Sequence, residues 1–273
     1  MSNSPYRSIA VAATFSPRFH QVLAEAGRVR DRFASTLSLI YVGKKNAAAT
    51  KKFAEAFKAL RLPAESLVHY EEGDPATAIL GAIGKYRLDL LIAGALEKEA
   101  VHRQFLGNVA RRLVCEADCS VLLFTTPALE PKTLRHIVFI AEYSDHAQRA
   151  LCRTLQFAER EKCERLYVIR SYTTFDKARA RRRSKTPRTL ARTLDEEEVA
   201  LQEFVLAAGV TPVPIETRTI RGNTGFAVSD FIQSVEADLL VVPLEARSSS
   251  EAKLPGAIAW ITDVIPCNLW IIR

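Results

Sequence analysis

The chain has 273 residues, 48% apolar and 25% charged, which is the balance of a globular protein with material for two cores rather than a disordered or disulfide-stapled one. No apolar run approaches the roughly 18 residues that span a bilayer, and the first residues lack a signal-peptide layout, so a cytoplasmic protein is expected. The net charge of +7 is local: Lys177, Arg179, Arg181, Arg182, Arg183, Lys185, Arg188 and Arg192 fall in one acid-free stretch, and the rest of the chain is close to neutral.

In chain order, SIAVAATFS reads as a strand and turn, and 17–33 as a helix. Phe19, Val22, Leu23, Ala26, Val29 and Phe33 recur there at three- and four-residue steps, one apolar stripe. Ser16 and Pro17 read as an N-cap followed by a proline at the first helical position. The strand TLSLIYV, a helix over 47–60 and the strand SLVHY follow. Asp74 and Pro75 then open a helix with the same cap-and-proline device, ahead of DLLIAG, a helix at FLGNVARRLVCEA and the strand CSVLLF. The second half repeats this order: HIVFIA, a helix over 145–160, RLYVIRSY, a helix over 194–208, VPIETRTI, RGNTGFAVSDFIQSV, DLLVVP, LPGAIAWITDVI and CNLWII. Thr193 with Glu196 makes a capping-box pattern before the helix over 194–208.

These short, continuously apolar strands suit a parallel sheet buried on both faces, and their alternation with helices means an α/β fold. We expect two tandem open parallel-sheet domains of five strands each. The first spans 1–127 and the second 132–273, with a basic inserted loop at 171–192. Ligands of such sheets sit beyond the carboxyl ends of the strands, where the strand order switches direction. The turns after SIAVAA and DLLIA and the start of the last helix of each half are therefore the candidate positions.

The element order and the residues at those turns resemble the universal stress protein family, in its tandem two-domain form. That family closes its domain with a strand, G-x-x-G, nine residues, then G-S or G-T opening the last helix. In the first half Gly94 matches the first glycine and Glu97 replaces the second; after nine residues come Gly107, Asn108 and Val109. Thr14 and Phe15 stand where the family has an acid and a glycine, Ser16 matches, and Val42 falls at the position whose backbone meets the adenine. In the second half Pro243 and Ala246 take the glycine positions, followed by Gly256 and Ala257, while Glu142 and Ser144 remain and Tyr143 replaces a glycine. Ser120 and Asn268, each after a cysteine, replace the family's proline.

The resemblance implies a non-enzymatic stress-response protein with a degenerate ATP-binding motif. Glycines admit close phosphate approach, and free N–H groups at a helix start donate to the anion. A Glu97 carboxylate about 5 Å from a phosphate costs about 3 kcal/mol at an effective dielectric of about 20, roughly a hundredfold in affinity. Bound Mg²⁺ would relieve this, so ATP with Mg²⁺ and no cofactor at all are both compatible with the residues. Thr14, Ser16, Val42, Gly94, Glu97, Gly107, Asn108 and Val109 are the candidate ligand residues, with a weaker set at Glu142, Ser144 and Gly256. Pro243 lacks an N–H, so the second half reads mainly as a structural partner, and Trp260 and Trp270 read as core or interface fillers.

No catalytic or metal-binding set is expected. His20, His69, His102, His136 and His146 lack metal-ligand spacing, no nucleophile motif is present, and the five cysteines read as reduced thiols. The family pairs its domains through the last strand, so an intramolecular pseudo-dimer is expected, with a further homodimer open. The basic loop reads either as a solvated segment or as a patch for nucleic acid, a membrane surface or another anionic partner, centred on Lys177, Arg179, Arg181, Arg182, Arg183 and Lys185.

Overall fold

The computed structural model describes residues 4–63, 66–95, 106–172, 193–221, 225–245, 259–262 and 267–273. The first half runs β1 (Ser8–Ala13), α1 (Phe19–Phe33), β2 (Thr36–Val42), α2 (Ala47–Ala59), β3 (Leu67–Glu71), α3 (Pro75–Lys85), β4 (Leu90–Gly94), α4 (Asn108–Glu116) and β5 (Ser120–Phe124). The second runs β6 (His136–Ile140), α5 (Asp145–Glu161), β7 (Arg165–Tyr172), α6 (Leu194–Leu206), β8 (Ile215–Arg221), α7 (Gly225–Ser234), β9 (Leu239–Pro243), a 3₁₀ turn (Ala259–Thr262) and β10 (Asn268–Ile272).

All ten of these strands belong to one sheet, ordered β3-β2-β1-β4-β5-β10-β9-β6-β7-β8. Within each half the neighbours are parallel, and the halves meet through the antiparallel pair β5–β10, with Leu122 opposite Trp270. The two open sheets read from the sequence are thus joined at what would otherwise be apolar edges, and every residue of β5 is buried. The repeat is visible in detail. Asp89 accepts hydrogen bonds from the N–H groups of Arg7 and Ser8 at 2.8 and 3.0 Å, and Asp238 accepts from Arg135 and His136 at 2.6 and 2.9 Å.

The stripe expected on α1 is fully buried, from Phe19 to Phe33. It packs on one sheet face with α2, α5 and α6, whereas α3, α4 and α7 cover the other. The core on the α1 side is continuous between the halves. Phe33 stacks on Phe157 at 5.2 Å, and the indole of Trp270 lies 5.3 Å from Phe157 and 6.0 Å from Tyr6. Beside it, Glu161 of α5 is fully buried and accepts from Arg28 Nη1 at 2.5 Å, Arg32 Nε at 3.0 Å and the Leu134 N–H at 3.1 Å.

Two helix-start expectations hold. Asp74 accepts from the Thr77 N–H at 3.0 Å, and Thr193 with Glu196 closes a reciprocal capping box. One needs correction: α1 begins at Phe19 after Arg18, and Ser16 is not its N-cap. Instead the Ser16 carbonyl accepts from the Phe19 N–H at 3.0 Å, so Ser16 and Pro17 form a turn that precedes the helix. In the second half, the helix expected at LPGAIAWITDVI has as its described part only the 3₁₀ turn Ala259–Thr262.

Candidate ligand cleft

The chain switches direction across the sheet between β1 and β4, and a cleft of about 810 Å³ opens there, at the carboxyl ends of β1, β2 and β4. Thr14 and Ser16 line it from the turn after β1, Val42 from the end of β2 and Gly94 from the end of β4. Gly107, Asn108 and Val109 line it from the start of α4. Seven of the eight positions expected for the first half thus share one cavity. The eighth, Glu97, lies outside the described residues.

Local geometry explains why two glycines stand here. A Cβ on Gly94 would meet Val22 Cγ2 at 2.9 Å, so a side chain there would collide with α1. Gly107 is the N-cap of α4 and has no side chain to accept from the helix's first N–H groups. Phe15, which replaces a family glycine, does not close the cleft. Its ring is held in a cluster 4.8 Å from Phe53, 5.0 Å from Tyr41 and 5.6 Å from Phe19. Most of the lining is apolar, with Ala12, Ala13, Val22, Ile79 and Leu113 prominent, and no carboxylate lies among the described lining residues. Arg18 is the charged side chain of that lining, and its Nη1 donates to the Thr125 carbonyl at 3.2 Å.

In the corresponding corner of the second half, the described side chains bond one another. Tyr143 takes the place of Phe15, and its hydroxyl donates to Glu197 Oε1 at 2.7 Å. Arg170, opposite the strand end as Tyr41 is in the first half, reaches Glu197 at 3.3 Å and the Ala141 carbonyl at 3.0 Å. Ser144 serves as the N-cap of α5, accepting from Ala147 N–H at 3.1 Å, and Glu142 sits in the turn before it. Trp260 lies so close over Gly225 that a Cβ there would fall 2.1 Å from the indole. Gly256, Ala257, Ala246 and the basic segment 177–192 lie outside the described residues.

Sequence reasoning missed a pair of hydrogen-bonded clasps at the seam. Ser120 Oγ accepts from the Arg273 N–H at 3.0 Å, and Asn268 Oδ1 accepts from the Thr125 N–H at 2.9 Å. Each side chain ties the start of its own last strand to the end of the other. The signal was present: two hydrogen-bonding residues at equivalent positions where the family carries proline. Cys119 and Cys267, just before them, have thiols pushed up to about 12, and burial is the leading cause in both. Among the described residues no cluster of three or more His, Cys, Asp or Glu could hold a metal, and no helix is long and apolar enough to cross a membrane.

An α/β sheet with this strand order, doubled and joined at its last strands, carrying a glycine-bounded cleft at the switch point, is the architecture that the resemblance to universal stress proteins implied. The sequence profile of the Universal stress protein family matches residues 5–125 and again 133–273, and the chain belongs to that family. A universal stress protein of Methanocaldococcus jannaschii is 36% identical over 81 residues, covering 28% of this chain and 48% of that protein, so the match spans about half of that relative. Among solved structures, a functionally unknown protein from Pseudomonas aeruginosa PAO1 has a TM-score of 0.73 at 17% identity, covering 99% of this chain and 94% of the other. A universal stress protein from Archaeoglobus fulgidus has a TM-score of 0.67 at 14% identity and covers 99% of both chains. At these identities the structural likeness speaks to the fold.

Proposed function

We propose that the chain is a non-enzymatic stress-response protein that acts by binding a small ligand, with an adenine nucleotide as the ligand class, in the cleft of its first half. The observation that carries this reading is the convergence of Gly94, Gly107, Asn108, Val42, Thr14 and Ser16 on one cavity of about 810 Å³. That volume lies in the range of about 300–1,000 Å³ usual for small-molecule sites. The apolar walls at Ala12, Ala13 and Val42 suit a planar base. The hydroxyls of Thr14 and Ser16 suit a ribose. The N–H groups at the start of α4 suit a phosphate. Bound Mg²⁺ would supply charge neutralisation at the phosphates.

The second half serves in this reading as the structural partner, because Tyr143, Arg170 and Glu197 bond one another in its equivalent corner. Titration calorimetry with ATP and Mg²⁺, and with AMP alone, tests the proposal. Saturable heat that disappears in Gly94→Val supports it. No heat at millimolar ligand overturns it in favour of a ligand-free scaffold.

A further inference from the structure

A second pocket, of about 460 Å³, lies away from the cleft, between α1, the end of α2 and the connection between the halves. Arg28, Arg30, Arg32 and Arg61 line it, with Asp31 as the acidic residue of that lining. The neighbouring charges do not cancel these cations. Arg28 and Arg32 share Glu161, Arg28 also holds Glu25, and Arg30 holds Asp31. Four guanidinium groups thus meet three carboxylates. Arg61 has no ion pair among the described residues, and Arg30 Nη1 is buried without a hydrogen-bond partner. An uncompensated buried donor is costly, and so is a surplus of like charge.

We propose that this pocket is an anion site for a small phosphorylated molecule. Guanidinium forks match phosphate oxygens in pairs, and several forks around one concavity favour a multiply charged phosphate over a single carboxylate. The lining also has an apolar part, with Leu62, Pro131 and Leu129, the last of these 56% exposed. That part suits the organic portion of a phosphate ester. The site also bears on the seam. Leu129 and Pro131 belong to the connection between the halves, and Arg28 and Arg32 grip Glu161 of the second half. An occupant would therefore reinforce the pairing of the two halves.

The test uses the full chain, with inorganic phosphate and pyrophosphate as probes and the melting temperature as readout. Pyrophosphate is expected to raise it saturably, less so as sodium chloride is added. In Arg30→Gln/Arg61→Gln the apparent affinity should fall by about tenfold or more, the equivalent of one or two lost charge-assisted contacts. Arg61→Gln alone, at an exposed position, keeps the test valid if the double variant folds poorly. Gly94→Val should leave the pyrophosphate response intact, which separates this site from the cleft. Unchanged affinity in both arginine variants would place the anion elsewhere and overturn the proposal. So would the absence of any response in the wild-type chain, and a citrate response equal to pyrophosphate would overturn the phosphate assignment.

Discussion

At Gly94 the sequence motif and the packing make the same demand, because the position faces both the cleft and Val22 of α1. Gly94→Val is expected to destabilise the fold by about 1–3 kcal/mol through overpacking and to abolish ligand binding. Gly107→Ala, at the N-cap, should keep most of the stability and weaken binding less, and calorimetry on the pair separates the two. The thiols offer a second test. Burial pushes Cys119 and Cys267 up to about 12 and Cys163 up to about 11. A thiol-reactive dye at pH 8 should therefore label at most Cys115 and Cys152 quickly in the native chain, and all five cysteines in denaturant. Rapid native labelling of more than two would contradict this. Glycine spacing made Gly94 and Gly107 legible in the sequence. Ser16 was misread because a Ser-Pro pair suits a turn as well as a helix cap, and only the position of α1 chooses between them.

Between elements, α1 and α5 are joined by charge rather than by an apolar stripe alone. Glu161→Ala leaves Arg28 and Arg32 without their shared partner in a buried site and is expected to cost about 3–5 kcal/mol in urea unfolding. Glu25, in the same network, has its carboxyl raised above the usual range by burial, with Arg28 opposing the shift. A raised acid favours folding below its ordinary value, and that contribution is lost as pH rises through the raised one. The stability difference between wild type and Glu25→Gln should accordingly shift against the wild type as pH rises from the ordinary carboxylate value. A difference constant with pH would show that Glu25 does not titrate this way. The clasps at β5 and β10 predict that Ser120→Pro with Asn268→Pro, which restores the family's residue at both sites, loses more than about 2 kcal/mol, at about 1 per hydrogen bond, because the bonds from the Ser120 and Asn268 N–H groups to the Asp89 and Asp238 carbonyls and from Tyr6 to Ser120 go with the two clasps. Neither the network nor the clasps could be read from periodicity, since each joins residues more than a hundred positions apart.

At the scale of the molecule, one sheet spans both repeats, and so does the core on each of its faces. The chain should unfold in a single transition, with circular dichroism and tryptophan fluorescence coincident; two separated transitions would show that the halves are independent. Trp270→Ala, at the meeting point of Tyr6, Phe33 and Phe157, is expected to cost about 3–5 kcal/mol. Residues 1–127 expressed alone would bare the β5 edge and should self-associate, as sedimentation would report.

The repeat, the alternation of strands and helices, the family and the turns that border the cleft are legible in the residues themselves. Hydrophobic periodicity, caps and glycine spacing are local properties, and the strand order then places the cleft at the switch point. Tertiary structure alone decided what fills each corner. Whether Phe15 blocks the cleft or forms one of its walls depends on Tyr41 and Phe53, against which its ring packs. Whether Tyr143 leaves a site depends on Glu197 and Arg170. The arginine pocket exists only because α1, the turn after α2 and the inter-repeat connection converge. Cavities and charge clusters are made by residues distant in sequence, so they are set by packing that no single window of the chain encodes.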